Sequence, residues 1–203
     1  NTPFNSPNDL TITNCVFSKN TTKLKGGAIY NYCSSPTITN CTLVENSTTY
    51  IVDAKGGAIY NDYHNYGPAS PAVTNCILWG NTAVADGNEI YNETGCNPTF
   101  SYCDITGGLN GISCGGVDSN DGGGNIDIDP CFVDADNNDL HLGLNSPCID
   151  IGNPDGNYGG QTDIDGQPRV IGRYVDMGAD EVVYTLSWWK FDEANGTTAY
   201  DSA

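Results

Sequence analysis

A two-part block recurs along the first half of the chain, and it restricts the fold more than any other feature. It reads ITNCVFSKN and GGAIYN within residues 12–31, ITNCTLVEN and GGAIYN within 38–61, and VTNCILWGN and GNEIYN within 73–92. A fading copy, FSYCDITGG, begins at Phe100. Cys15, Cys41, Cys76 and Cys103 share one position of the repeat. Ile12, Ile38, Val73 and Phe100 stand three residues before it, and Phe17, Leu43, Leu78 and Ile105 two residues after. Asn20, Asn46 and Asn81 follow, then Ile29, Ile59 and Ile90, each succeeded by Tyr-Asn. Length varies in two places only, at 21–25, 47–55 and 82–86 and at 32–36, 62–71 and 93–98. One copy cannot bury its own apolar face, whereas stacked copies share a continuous core.

Within each copy the pattern alternates, with Ile12, Asn14 and Val16 interleaved with Thr13, Cys15 and Phe17. Period two with β-branched and aromatic residues reads as short strands, with Gly, Asn and Ser at the corners. The expectation is an all-β parallel β-helix in which each copy is one coil and like stacks on like, roughly 4.8 Å apart. About five to seven coils fit the chain at this repeat length. Cys, Ile, Val, Leu and Phe at the recurrent positions point inward. The Asn rows sit at corners, where the side chain tolerates left-handed backbone and bonds the adjacent coil. Gly26–Gly27 and Gly56–Gly57 admit backbone that a Cβ forbids. Over residues 10–115 these ladders resemble the right-handed parallel β-helix of the pectin-lyase-like superfamily, in particular its GGAIYN-bearing bacterial surface proteins. That resemblance implies fold more than function, because the fold hosts lyases, hydrolases, adhesins and surface proteins.

Near residue 107 the composition shifts to a Gly-rich acidic stretch. The matching residues beyond it are Asp129-Pro130-x-Phe132-Val133, Asp139-x-x-Leu142, Ser146-Pro147-x-Ile149-Asp150, Asp165-Gly166-x-x-Arg169 and Asp176-x-Gly178-Ala179-x-Glu181. They resemble the C-terminal part of secreted bacterial β-helix proteins carrying a choice-of-anchor module. The resemblance implies irregular coils over 116–181 that close the end of a helix built from 1–115. Arg169, among so many carboxylates, is expected in a structural ion pair. Residues 182–203 resemble the first strand of a laminin-G or concanavalin-like jelly roll, which needs two full sheets. Val183, Leu186, Trp188, Trp189 and Phe191 make this tail apolar on both faces, so it reads as an extended strand that docks on something.

Nine cysteines are many for 203 residues. Four belong to the ladder, where a thiol acts as a small hydrophobe. Cys33, Cys96, Cys114, Cys131 and Cys148 lie off it; Cys131 with Cys148 is the favoured disulfide, although spacing does not fix connectivity and an odd total leaves a thiol over. Small or aliphatic residues usually occupy those two positions in the choice-of-anchor proteins, a departure that suits an extra crosslink.

Seven Lys plus Arg against 25 Asp plus Glu give a formal charge of −18. Neither nucleic acid nor unassisted binding to anionic lipid is therefore expected, since both need clustered cations, and no membrane insertion is expected. No membrane-length apolar run occurs. A processed, secreted or cell-surface protein of bacterial type is expected. Hard oxygen ligands cluster at 118–121, 127–129, 134–139 and 163–165, and Asp134, Asp136, Asn138 and Asp139 form the strongest candidate Ca²⁺ group. None completes an EF-hand loop. His64 and His141 have no partner legible in sequence.

Catalysis is disfavoured. The coil carboxylates Glu45, Glu89 and Asp104 do not recur in register as an acid–base cluster, no Arg precedes 169, and Lys25 and Lys55 sit in turns. The expected function is a secreted, non-catalytic structural protein that polymerises head to tail into a filament or stalk. The competing readings are a carbohydrate-binding adhesin module and a Ca²⁺-dependent polysaccharide lyase or hydrolase.

Overall fold

The structure, a computed structural model, describes residues 10–64, 67–114 and 120–184. The first coil comprises β1 (Thr11–Thr13), β2 (Val16–Ser18), β3 (Thr21–Thr22) and β4 (Ile29–Tyr32). The second comprises β5 (Thr37–Thr39), β6 (Thr42–Val44), β7 (Ser47–Thr48) and β8 (Ile59–His64), with β9 (Gly67–Pro68) folded antiparallel onto β8. The third holds β10 (Ala72–Thr74), β11 (Ile77–Trp79), β12 (Thr82–Ala83) and β13 (Ile90–Asn92). The fourth holds β14 (Thr99–Ser101), β15 (Asp104–Ile105) and β16 (Ser113–Cys114), and β17 (Asn120–Asp121) opens a fifth. Corresponding strands pair in parallel, giving the sheets β1-β5-β10-β14-β17, β2-β6-β11-β15, β3-β7-β12 and β4-β8-β13-β16. The result is an all-β solenoid of stacked parallel sheets, with four coils and the start of a fifth among the described residues. No helix is long and apolar enough to cross a membrane.

The repeat ladders are the strand registers. Ile12 pairs with Ile38, Ile38 with Val73, and Val73 with Phe100. Phe17, Leu43, Leu78 and Ile105 align likewise, as do Ile29, Ile59 and Ile90. These rows and the cysteine row form one buried core. Burial of each Ile, Leu or Phe contributes roughly 1.5–3 kcal/mol, so the core supplies most of the stabilisation. The ladder thiols stay reduced inside it; those of Cys41, Cys76 and Cys103 reach carbonyl oxygens of the preceding coil at 3.6–3.7 Å.

Asparagines recur at three corners and knit the first three coils at two of them; at the third only Asn75 Nδ2 reaches Asn40 Oδ1, at 2.9 Å, and Asn14 Oδ1 and Asn40 Nδ2 are unpartnered. Asn20 donates to Asn46, and Asn46 to Asn81, each through Nδ2 to Oδ1 at 2.9 Å. A second ladder runs from Asn31 to Asn61 to Asn92 at 2.8 and 2.7 Å. The third, Asn14, Asn40 and Asn75, holds the left-handed backbone, with φ near +52° throughout. At the Asn20 corner the left-handed residue is instead the one before the ladder: Lys19, Glu45 and Gly80. Glu89 ends the first ladder, accepting from Asn81 Nδ2 at 2.5 Å and Asn81 N at 3.1 Å. It occupies the place of Ala28 and Ala58 in the earlier copies, in the copy after which the Asn row stops.

Residues 128–182 depart from the sequence expectation. Instead of closing the end as further coils, they run back along the outer face of the solenoid as a clasp. The segment includes an antiparallel pair, β18 (Phe132–Asp134) and β19 (Asp139–Leu142). Ile77 points outward from β11 and joins Leu142, Cys148, Met177 and Val182 in a second buried cluster. Gly178 N donates to Asn75 O at 2.8 Å, and Ala179 N to Thr42 Oγ1 at 3.0 Å. Contact reaches the first coil: Ser18 Oγ donates to Asn138 Oδ1 at 2.5 Å, and Lys19 Nζ to Ala135 O and Asp136 O at 3.2 and 2.9 Å. The outward Ile77 explains the choice, because an apolar residue there needs a lateral cover.

The second glycine of each Gly-Gly pair lies where coils touch. A Cβ on Gly57 would stand 2.0 Å from Asn88 O and 2.6 Å from Thr82 N, both backbone atoms that cannot yield alone. Gly57→Ala is expected to cost about 3 kcal/mol or more and to lower the thermal midpoint by several degrees in a calorimetric scan.

Candidate functional site

Three surfaces carry chemistry: the edge of the first coil as the described residues present it, an aromatic–lysine ladder, and the clasp. At the first coil, β1, β2, β3 and β4 are each the terminal strand of their sheet among the described residues. Ile12, Cys15 and Phe17 are only half-buried, whereas their counterparts Ile38, Cys41 and Leu43 are sealed. Apolar side chains and a strand edge are thus presented together.

The position after Ile29, Ile59 and Ile90 stacks Tyr30, Tyr60 and Tyr91, with ring centroids 5.6 and 5.3 Å apart. Lys25 Nζ lies 4.4 Å from the Tyr60 ring centroid and Lys55 Nζ 4.5 Å from that of Tyr91. Both lysines are ion-paired, Lys25 with Asp62 at 3.5 Å and Lys55 with Asp53 at 3.3 Å. Burial alone would lower the Lys55 pKa, but hydrogen bonds to Tyr91 and Asp53 raise it above its ordinary value. A proton-abstracting lysine needs the opposite shift. Tyr30 donates to Asp62 and Tyr60 to Glu93, so these hydroxyls are held in place. Tyr30 and Tyr32 remain nearly half-exposed at the end of the ladder.

The clasp has few regular hydrogen bonds, and buried carboxylates take over the work of a sheet. Asp176 accepts from Asp150 N at 2.7 Å and Val182 N at 2.8 Å; Asp163 accepts from Asp165 N, Gln167 N and Glu181 N. Arg169, 1 % exposed, sits at the centre. Its Nη2 donates to Asp176 O and Gly178 O and pairs with Glu181 Oε1 at 3.2 Å, the structural ion pair expected from sequence. An open cavity of about 680 Å³ beside it is lined by Tyr158, Arg169, Arg173 and Tyr174.

The candidate Ca²⁺ residues do not converge. Asp134 spends both carboxylate oxygens on Asn137, Asn138 takes left-handed backbone with its Oδ1 bound by Ser18, and Asp136 meets Lys19 through its backbone oxygen. Asp139 turns to His141, with Oδ1 2.5 Å from Nδ1. His141, Asp165 and Asp180 instead gather their ligand atoms within 4.8 Å of one another. Asp139 and His141 alternate on one strand face and could have been paired from period two; Asp165, 24 residues on, carried no local signal.

The Cys131–Cys148 disulfide is not formed. Cys148 is buried under β15, its Sγ donating to Asp104 Oδ2 at 3.2 Å, while Cys131 is exposed with its Sγ on Asp129 O at 3.3 Å. The turn that brings β19 back beside β18 aims the two thiols at different partners. Of the apolar tail, Val183 is exposed at the end of the clasp, and Leu186, Trp188, Trp189 and Phe191 lie outside the described residues.

Residues 14–32, running from a left-handed corner through the end of β4, match the family model of the Chlamydia polymorphic membrane protein repeat. The match spans less than a tenth of the chain. No curated protein and no solved structure matches the chain.

Burial holds several carboxyls protonated well above the usual range: Glu89 to about 7, Asp104 to about 6 and Asp176 to about 6. Each raised value means tighter proton binding in the folded state than in the unfolded one, near 4. The associated stability is present at low pH and lost as pH climbs through 6 and 7. The thermal midpoint is expected to fall between pH 5 and pH 8. Glu89→Gln, which keeps an acceptor for Asn81, is expected to remove on the order of 3 kcal/mol of that fall, as read from unfolding curves at the two pH values.

Proposed function

We propose that this chain is a secreted, non-catalytic structural module of a bacterial-type cell surface. In this reading the solenoid is a right-handed β-helix of the pectin-lyase-like kind and associates head to tail into a filament or stalk. The observation that carries it is the first coil, where four strands that are edges among the described residues surround the half-buried Ile12, Cys15 and Phe17. A strand edge with an apolar interior is a template for another chain. A last coil of one copy set on a first coil of the next would extend the three sheets that reach the fourth coil. Such a contact joins two different surfaces and does not close on itself, so it propagates. The resemblance of residues 14–32 to a membrane-protein repeat supports surface placement. The ion-paired, ring-bound state of Lys25 and Lys55 supports a role other than proton abstraction.

A second reading, glycan binding by a stalk module, is favoured by the cavity beside Tyr158 and Tyr174, since aromatic faces next to an arginine suit a sugar ring.

Sedimentation and electron microscopy of the untreated chain separate the two. Assembly predicts filaments at micromolar concentration, dispersed by Phe17→Asp on the first coil and by truncation after Tyr184. Isolated short rods that bind glycan in an array would replace the first reading with the second.

A further inference from the structure

We infer that His141, Asp165 and Asp180 form a divalent-cation site of the zinc type on the clasp. Three ligand atoms, a ring nitrogen and one oxygen from each carboxylate, lie within 4.8 Å of one another. Ligands of a tetrahedral ion at 2.0–2.2 Å stand roughly 3.3 Å apart, so closure needs about 1.5 Å of side-chain movement. His141 Nε2 is already 3.1 Å from Asp165 Oδ2. Asp180 is the fixed member, its Oδ2 accepting from Leu142 N at 2.8 Å. Asp165, more than two-fifths exposed, is the member free to swing.

The fourth residue is Asp139. An ionised carboxylate only accepts, so its Oδ1 at 2.5 Å from Nδ1 places a proton on that nitrogen. Nε2, 3.1 Å from Asp165 Oδ2, holds its own proton toward that carboxylate, and a cation bound there takes the proton's place. Carboxylate-oriented imidazole is the usual arrangement behind a metal-ligating histidine.

An independent observation points to positive charge at this place. His141, Asp165 and Asp180 line a cavity of about 270 Å³ together with Gln167 and Glu181. Gln167 Oε1 and Glu181 Oε2 are buried and have no hydrogen-bond partner, and Glu181 is 2 % exposed. Arg169 Nε and Nη1 are likewise unpartnered, but of these residues only Gln167 and Glu181 line the cavity, and their free oxygens are acceptors that a cation or its bound water satisfies. Arg169 neutralises Glu181 only through Oε1. Calcium is the poorer occupant, because it takes six to eight oxygens and has little use for an imidazole.

The ion would tie β19 to the loop carrying Asp165 and to the final turn carrying Asp180, three parts of the clasp far apart in sequence. The test uses the full chain with Cys131→Ser, which removes an exposed thiol that would itself take zinc. The protein is stripped with chelator, returned to chelator-free buffer, and titrated calorimetrically with zinc chloride and separately with calcium chloride. The expected result is one zinc per chain with a raised thermal midpoint. His141→Ala and Asp165→Asn weaken binding at least tenfold, Asp139→Asn by roughly tenfold, and the Asp134→Asn/Asp136→Asn pair not at all. Asp165 lies on an exposed loop, so its variant keeps the test valid should His141→Ala disturb the fold. The inference is overturned if zinc does not saturate, if both the His141 and Asp165 variants bind as the parent does, or if calcium binds in preference and is lost in the 134/136 variant.

Discussion

Parallel stacking in register makes each side chain's nearest neighbour its own counterpart one coil away. Everything else in the solenoid depends on that constraint. It turns a Cys, Ile or Phe at a repeat position into a row of the core, and an Asn into a chain of amide hydrogen bonds. It also forbids a Cβ on Gly27 and Gly57, whose positions lie against backbone oxygens at 2.0 Å. A row has to end somewhere, and its last member needs a partner of different chemistry. Glu89 supplies that partner to Asn81, at the cost of a buried carboxyl whose pKa burial drives up to about 7.

The coils were legible because their residues answer to a local period. Insertions leave the spacing around each ladder cysteine untouched, so Ile12, Ile38, Val73 and Phe100 align in sequence and are strand partners in the structure. The clasp was not legible in the same way. Its Asp and Gly motifs announce a recurring C-terminal segment, yet no period says which face it covers. The one sequence clue was Ile77, an outward position held by Val16, Thr42 and Asp104 in the other coils. Glu89 was also on the page, an acid where two earlier copies have alanine, but its meaning required the missing asparagine of the fourth copy.

The acidic excess divides into two populations with different physics. Exposed Asp and Glu keep the surface soluble and repel one another as pH rises. Buried Asp163, Asp176 and Glu181 act as acceptors for backbone N–H groups in a segment with few strands, organised around a single arginine. Pairing one cation with several carboxylates is affordable only where backbone donors take the remaining lone pairs, which is what the clasp arranges.

A stack whose members touch only their neighbours unravels from its ends, one repeat at a time. Here residues 135–138 hold the first described coil while 177–182 hold the second and third, so the polypeptide returns along the stack. The first described coil cannot peel away without releasing the clasp, and the clasp cannot lift without uncovering Ile77. That topology converts a sum of weakly coupled repeats into one cooperative unit, with long-range contacts that slow folding and suppress fraying under load.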